Sequence, residues 1–165
     1  KLYVCNRTPV YTPATKRGAW DLSSSVTVGA LDTSKIGGGI ITSVNVAETS
    51  SSNTYDVALS RFISGRLAAQ TIGGTFDVTI CATESNAAAD MYFHVYIYVT
   101  QGDSDVVRGV LLNDYVENTT NEFGTSGTTG GKSLQSPQSL SSLSVNDGDR
   151  IVVEMGYIAR NSVTE

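Results

Sequence analysis

Residues 90–100, Asp-Met-Tyr-Phe-His-Val-Tyr-Ile-Tyr-Val-Thr, constrain the fold of this chain more than any other stretch. On an extended backbone Phe93, Val95, Ile97 and Val99 point to one side and Tyr92, His94, Tyr96 and Tyr98 to the other. A helix would scatter both sets around its axis, whereas a strand sorts them into an aliphatic face and an aromatic, polar one. Bulky groups on both sides predict an interior strand that is covered twice. Residues 75–84 alternate as cleanly, with Phe76, Val78, Ile80 and Ala82 inward and Asp77, Thr79, Cys81 and Thr83 toward water. Further strands are expected over 2–5, 26–31, 40–48, 54–62, 67–72, 106–113, 140–145 and 150–159.

Between these runs stand Gly37-Gly-Gly39, Ser50-Ser-Ser-Asn53, Gly73-Gly74, Gly102-Asp-Ser-Asp105 and the low-complexity Gly124-Thr-Ser-Gly-Thr-Thr-Gly-Gly131, all of it turn chemistry. With 20 Ser, 19 Thr and 16 Gly in 165 residues, the composition suits short strands and polar turns better than helices. The expected fold is all-β: an antiparallel β-sandwich of jelly-roll or Greek-key type with about ten strands. No internal repeat points to a solenoid or propeller. A net charge of −5 gives no basic field for nucleic acid, and no apolar run is long enough to span a bilayer as a helix. A soluble chain with neither nucleic acid nor membrane as partner is expected.

Charge is unevenly placed. Lys1, Arg7, Lys16 and Arg17 put +4 and no acid into the first 20 residues, leaving −9 for the other 145. Pro9 and Pro13 bias the same stretch toward extended backbone, so residues 1–20 read as a short strand followed by a basic arm, and 21–165 as one sandwich domain. Two courses are open to the arm: folded onto its own sheet, or laid on a neighbouring copy through an interface of Arg7, Lys16, Arg17 and Trp20. Trp20, the single Trp, is correspondingly either the anchor that docks the arm at home or a hot spot for a partner.

Candidate chemistry is sparse. One histidine, no Gly-x-Ser-x-Gly elbow and no phosphate loop leave no hydrolase or nucleotide constellation, and His94 reads as a structural or interface residue. Cys5, Cys81 and His94 share no zinc spacing. Gly102-Asp-Ser-Asp105 and Asn146-Asp-Gly-Asp149 carry oxygen ligands suited to calcium, but Asp-Gly turns need no ion, so no metal or cofactor is expected. Glu48, Glu84 and Glu154 are the carboxylates from which a glycosidase pair would have to come. Cys5 and Cys81 admit two readings, a disulfide pinning the first strand or two free buried thiols. Asn6 and Asn118 fit the glycosylation pattern and carry no weight. The strip Tyr92, His94, Tyr96 and Tyr98 is either a binding surface, for a protein or a sugar, or the second side of a sandwich core.

Lys1-Leu-Tyr-Val, Tyr11-Thr-Pro-Ala-Thr-Lys-Arg-Gly-Ala-Trp20, Phe62-Ile-Ser-Gly-Arg-Leu67, Gln70-Thr-Ile-Gly-Gly-Thr75 and Gly148-Asp-Arg-Ile-Val-Val-Glu154 together resemble small β-rich structural proteins encoded among the virion genes of tailed bacteriophages. The resemblance spans most of the chain. It implies a capsid decoration protein or a tail or fibre component, located in the extracellular particle, with copies of itself and other virion proteins as partners and no catalytic residues to carry over. Two alternatives belong to other classes: a carbohydrate-binding module or receptor-binding domain that meets host-surface glycan with Trp20 or the tyrosine strip, and a secreted glycan-degrading enzyme.

Overall fold

The computed structural model describes residues 1–5, 7–21, 26–34, 55–84, 86–117, 122–125, 131–133 and 137–160. Among them the chain forms β1 (Tyr3–Cys5), β2 (Thr27–Asp32), β3 (Tyr55–Ser64), β4 (Gln70–Phe76), β5 (Thr79–Cys81), β6 (Thr83–Glu84), β7 (Met91–Thr100), β8 (Val107–Val116), β9 (Gly124–Thr125), β10 (Gly131–Ser133), β11 (Gln138–Val145) and β12 (Arg150–Ala159). A single 3-10 turn, Ala87–Ala89, precedes β7, and the Asn86 side chain caps it by accepting from the Ala88 N–H. The described residues contain no α-helix, and so none that could cross a membrane. The all-β, sandwich-like expectation holds.

Six strands make one sheet in the order β1-β2-β3-β12-β7-β8, and β4 pairs with β11, β5 with β10 and β6 with β9. Most pairings are antiparallel, as expected, but two are not: β2 runs parallel to β3, which makes the six-stranded sheet mixed, and β6 runs parallel to β9. A parallel neighbour needs a long crossover, and the chain between Asp32 and Tyr55 is long enough to supply one. The expected strand 40–48 lies in that interval, outside the described residues. The strand expected over 75–84 is divided because its pairing partner changes from β11 to β10 to β9 along its length. Its alternation survives the division, with Phe76, Val78, Ile80 and Ala82 half-buried and Asp77, Thr79 and Thr83 exposed.

The sheet has two covered faces. Phe93, Val95, Ile97 and Val99 of β7 join Tyr55 and Val57 of β3 and Val153, Met155 and Tyr157 of β12 in the main apolar core. Ile72 and Phe76 of β4, Ile80 of β5 and Leu140 and Leu143 of β11 pack onto it, forming the opposing layer. On the other face Tyr96, Tyr98, Ile63 and Val152 make a smaller cluster against which Trp20, Val28, Val107 and Val110 pack. β7 has the interior position expected for residues 90–100, between β12 and β8, and its two side-chain sets are buried because the layer of β4, β5 and β11 covers one face and Trp20 packs on the other.

A bulge decides which side chains reach the second face. Met155 pairs with Ser60 and Gly156 with Ala58, so Leu59 of β3 is the extra residue. Before the bulge the odd residues Tyr55 and Val57 face the main core; after it the even residue Phe62 does, and Ile63 turns to the smaller cluster. Arg61 turns with Ile63. Gly156 is required at this crossing, because a Cβ there would lie 1.8 Å from the Val57 carbonyl oxygen.

Candidate functional site

The second face carries the densest polar cluster, and it is a cradle for the N-terminal arm. Glu154 of β12 pairs in register with Arg61 of β3 on one side and Tyr96 of β7 on the other. Its carboxylate is 1% exposed, a position tolerable for a charge only when the charge is compensated. Arg61 Nε stands 3.5 Å from Oε1, and the Tyr98 hydroxyl donates to Oε1 at 3.2 Å. The arm supplies the remaining donors: the Arg17 N–H at 2.9 Å from Oε2 and 3.1 Å from Oε1, the Gly18 N–H at 2.9 Å and the Trp20 indole N–H at 2.8 Å from Oε2. One buried carboxylate thus gathers a guanidinium, a phenol and three N–H donors of the arm, from Arg17, Gly18 and Trp20.

Other receivers extend the cradle along the arm. Arg61 Nη1 donates to the Pro13 carbonyl, the Ala14 N–H to Asp105 Oδ1 at 2.7 Å, and the Arg17 guanidinium to the Asp105 carbonyl at 2.6 Å. The Ala19 N–H donates to Asp114 Oδ1 at 2.9 Å. Asp21 and Asp56 exchange two bonds, each at 3.0 Å: the Asp21 N–H to the Asp56 carbonyl, and the Asp56 N–H to the Asp21 carboxylate. His94 lies between Asp56 and Asp114, with Nδ1 2.7 Å from the first carboxylate and Nε2 3.3 Å from the second, and the Trp20 ring lies against it, tilted by 40° with the ring centroids 4.4 Å apart. Gly18 is needed for this fit: a Cβ would stand 2.5 Å from Trp20 Nε1 and 3.0 Å from Tyr96 Cβ.

Burial tunes the donors. Loss of water raises the pKa of Tyr98, and the Glu154 charge adds to it, so the phenol remains a donor at every physiological pH. Burial also raises Tyr96, with Asp114 and Glu154 contributing. Lys16 is pushed down, first by burial and then by the Arg61 charge.

The expected interface residues therefore divide. Trp20 and the Arg17 backbone dock the arm on its own sheet, and Arg7 reaches Asp32 in an exposed ion pair at 2.8 Å. Tyr92, His94, Tyr96 and Tyr98 are all buried, the arrangement of the second of the two courses open to the strip; with the arm in place it is no free stacking platform for sugar. Cys5 is a free, buried thiol, so the pairing of Cys5 with Cys81 is not formed; Cys5 ends β1 at the sheet edge, while Cys81 ends β5, paired with β10. Of the candidate carboxylates, Glu48 lies outside the described residues, Glu84 is buried and accepts from the Met91 N–H at 3.2 Å, and Glu154 holds the arm.

The two acidic turns suited to calcium come together and are met by arginine. Asp149 accepts from the Asn146 N–H at 2.7 Å, the Gly102 N–H at 3.2 Å and the Arg108 guanidinium. Asp103 takes Arg150 Nε at 2.5 Å and Arg66 Nη2 at 2.6 Å. Arg150 and Arg66 hold the Asp103 carboxyl below its ordinary range; burial works against the Asp149 charge, but Arg108 and the two N–H groups outweigh it. Among the described residues no three His, Cys, Asp or Glu side chains are grouped to hold a metal ion.

Sequence reasoning missed Arg61, Asp56, Asp114 and Gly156. The signal for the first was a lone charge inside an apolar strand, a pattern shared with Glu154, since a charge buried in a sheet demands an opposite one. Nothing local could announce the Leu59 bulge that brings the two together. The fold and cradle define an all-β, sandwich-like protein whose main sheet is closed on one face by its own arm. No family model, curated protein or solved structure matches the chain.

Proposed function

We propose that this chain is a non-enzymatic structural protein of a tailed-phage virion, a capsid decoration protein or a tail or fibre component that assembles with copies of itself. The observation that carries the non-enzymatic part is the use of Glu154: its two oxygens accept from Arg17, Gly18, Trp20 and Tyr98 and face Arg61, which leaves no lone pair directed at a substrate. The virion part is supported by the resemblance of the opening, middle and closing motifs to structural proteins of tailed phages. A sugar platform built on Tyr96 and Tyr98 would first have to shed the arm, at the cost of leaving Glu154 and Arg61 short of partners.

The test is location. Antibody raised against the purified chain, with gold label, should decorate density-banded particles from cultures that produce it, and peptides of the chain should appear in the particle by mass spectrometry. Particles without label and without its peptides would overturn the reading.

A further inference from the structure

We infer that residues 1–21 are an exchangeable connector, and that the occupant of the cradle in the assembled protein is the arm of a second copy. The inference rests on the self-assembling reading above and names its contact surface.

The way the arm is held supports exchange. From Arg7 to Asp21 it joins no strand ladder; most of its docking bonds run from arm N–H and carbonyl groups to body side chains at Asp105, Glu154, Arg61 and Asp114, with the Trp20 indole on Glu154, the Arg17 guanidinium on the Asp105 carbonyl and the Asp21–Asp56 pair of bonds beside them. Only Tyr3–Cys5 pairs with β2, over three residues at the sheet edge. Such an arm comes away with the loss of the edge strand β1 alone, leaving β2-β3-β12-β7-β8 paired, and a second copy re-forms the same bonds, because every receiver belongs to the body. The stretch leading into the docked segment is lightly packed, with Val10 92% exposed.

An empty cradle is unfavourable. Without an occupant, Glu154 keeps only Tyr98 and Arg61, and the cluster of Tyr96, Tyr98, Ile63 and Val152 opens to water. The occupant must bring basic residues, then a glycine whose missing Cβ lets it lie against Tyr96 and the indole, then an indole N–H two residues later. Lys16-Arg-Gly-Ala-Trp20 meets that specification, and every copy carries it. The +4 of the first 20 residues against −9 on the other 145 draws an arm toward the body of any copy, its own or a neighbour's.

Isotope mixing distinguishes the two courses with the unaltered chain. Light and heavy-nitrogen protein, combined in urea, refolded and joined by a carbodiimide, is digested, and peptides in which the arm's Lys16 is linked to a body carboxylate are sorted by mass. Exchange predicts light-to-heavy hybrids as abundant as same-label pairs, and their loss in full-length Glu154→Gln that keeps its circular dichroism. Same-label pairs alone, from a chain whose light-scattering mass is multimeric, overturn exchange and leave self-assembly standing. Same-label pairs alone from a monomeric chain overturn exchange and self-assembly in solution together.

Discussion

On one face of the main sheet Val57, Val95, Ile97 and Val153 pack against the strands of a second layer; on the other, Glu154, Arg61, His94 and two tyrosines pack against fifteen residues of irregular chain. The first face is held by area and shape, which are non-directional and tolerate exchange of one aliphatic group for another of similar volume. The second is held by directed bonds to buried charge, each of which fails if its partner is removed. The same strands, β3, β12 and β7, carry both chemistries on alternate residues. The apolar face thus makes the fold, and the polar face makes a specific fit for one peptide.

Single changes should separate the two. The largest effect is expected where both faces depend on one residue: Gly156→Ala places a Cβ against the Val57 carbonyl, forces β12 from β3 and should cost more than about 4 kcal/mol, seen as loss of cooperative urea unfolding. Arg61→Leu leaves Glu154 buried beside one fewer compensating charge and should cost about 3–5 kcal/mol. Its double variant with Glu154→Leu sharpens the comparison. An isolated buried ion pair would recover most of its stability when both partners become apolar, whereas here the arm's N–H donors stay without an acceptor and the recovery should be small.

Ile97→Ala opens a cavity in the aliphatic core and should cost about 2–5 kcal/mol. Trp20 fluorescence and far-ultraviolet circular dichroism should then shift together, since the arm has nothing to dock on once the sheet melts. Trp20→Phe removes one hydrogen bond to the Glu154 carboxylate, at about 1.5–3 kcal/mol, and amide exchange at Arg17 and Gly18 should rise while that in β7 stays protected. Equal acceleration at both places would break the distinction between the faces.

The smallest effect concerns acid. Asp103 and Asp149 are held below their ordinary range, so the stability they contribute is fully present above the unfolded carboxylate value of about 4 and is lost as pH falls through their lower folded values. The thermal midpoint should be level from neutrality down to about pH 4 and fall below it. Asp149→Asn should start lower at neutral pH and show a shallower acid limb.

Period-two alternation was enough to read the all-β class, the span 150–159 of β12 to the residue and the two loaded faces of β7, because side-chain direction along a strand is a local property of the backbone. The sequence left open where the arm lies, whether Cys5 is paired and what Glu154 does, and those were decided in three dimensions. Arg61 reaches Glu154 only because Leu59 bulges and reverses the parity of β3, and Glu154 reaches Gly18 across 136 residues of sequence. Strand faces follow from neighbours one and two residues away; partners for a buried charge are chosen by register, bulges and the course of a distant arm, and these exist only once the sheet has formed.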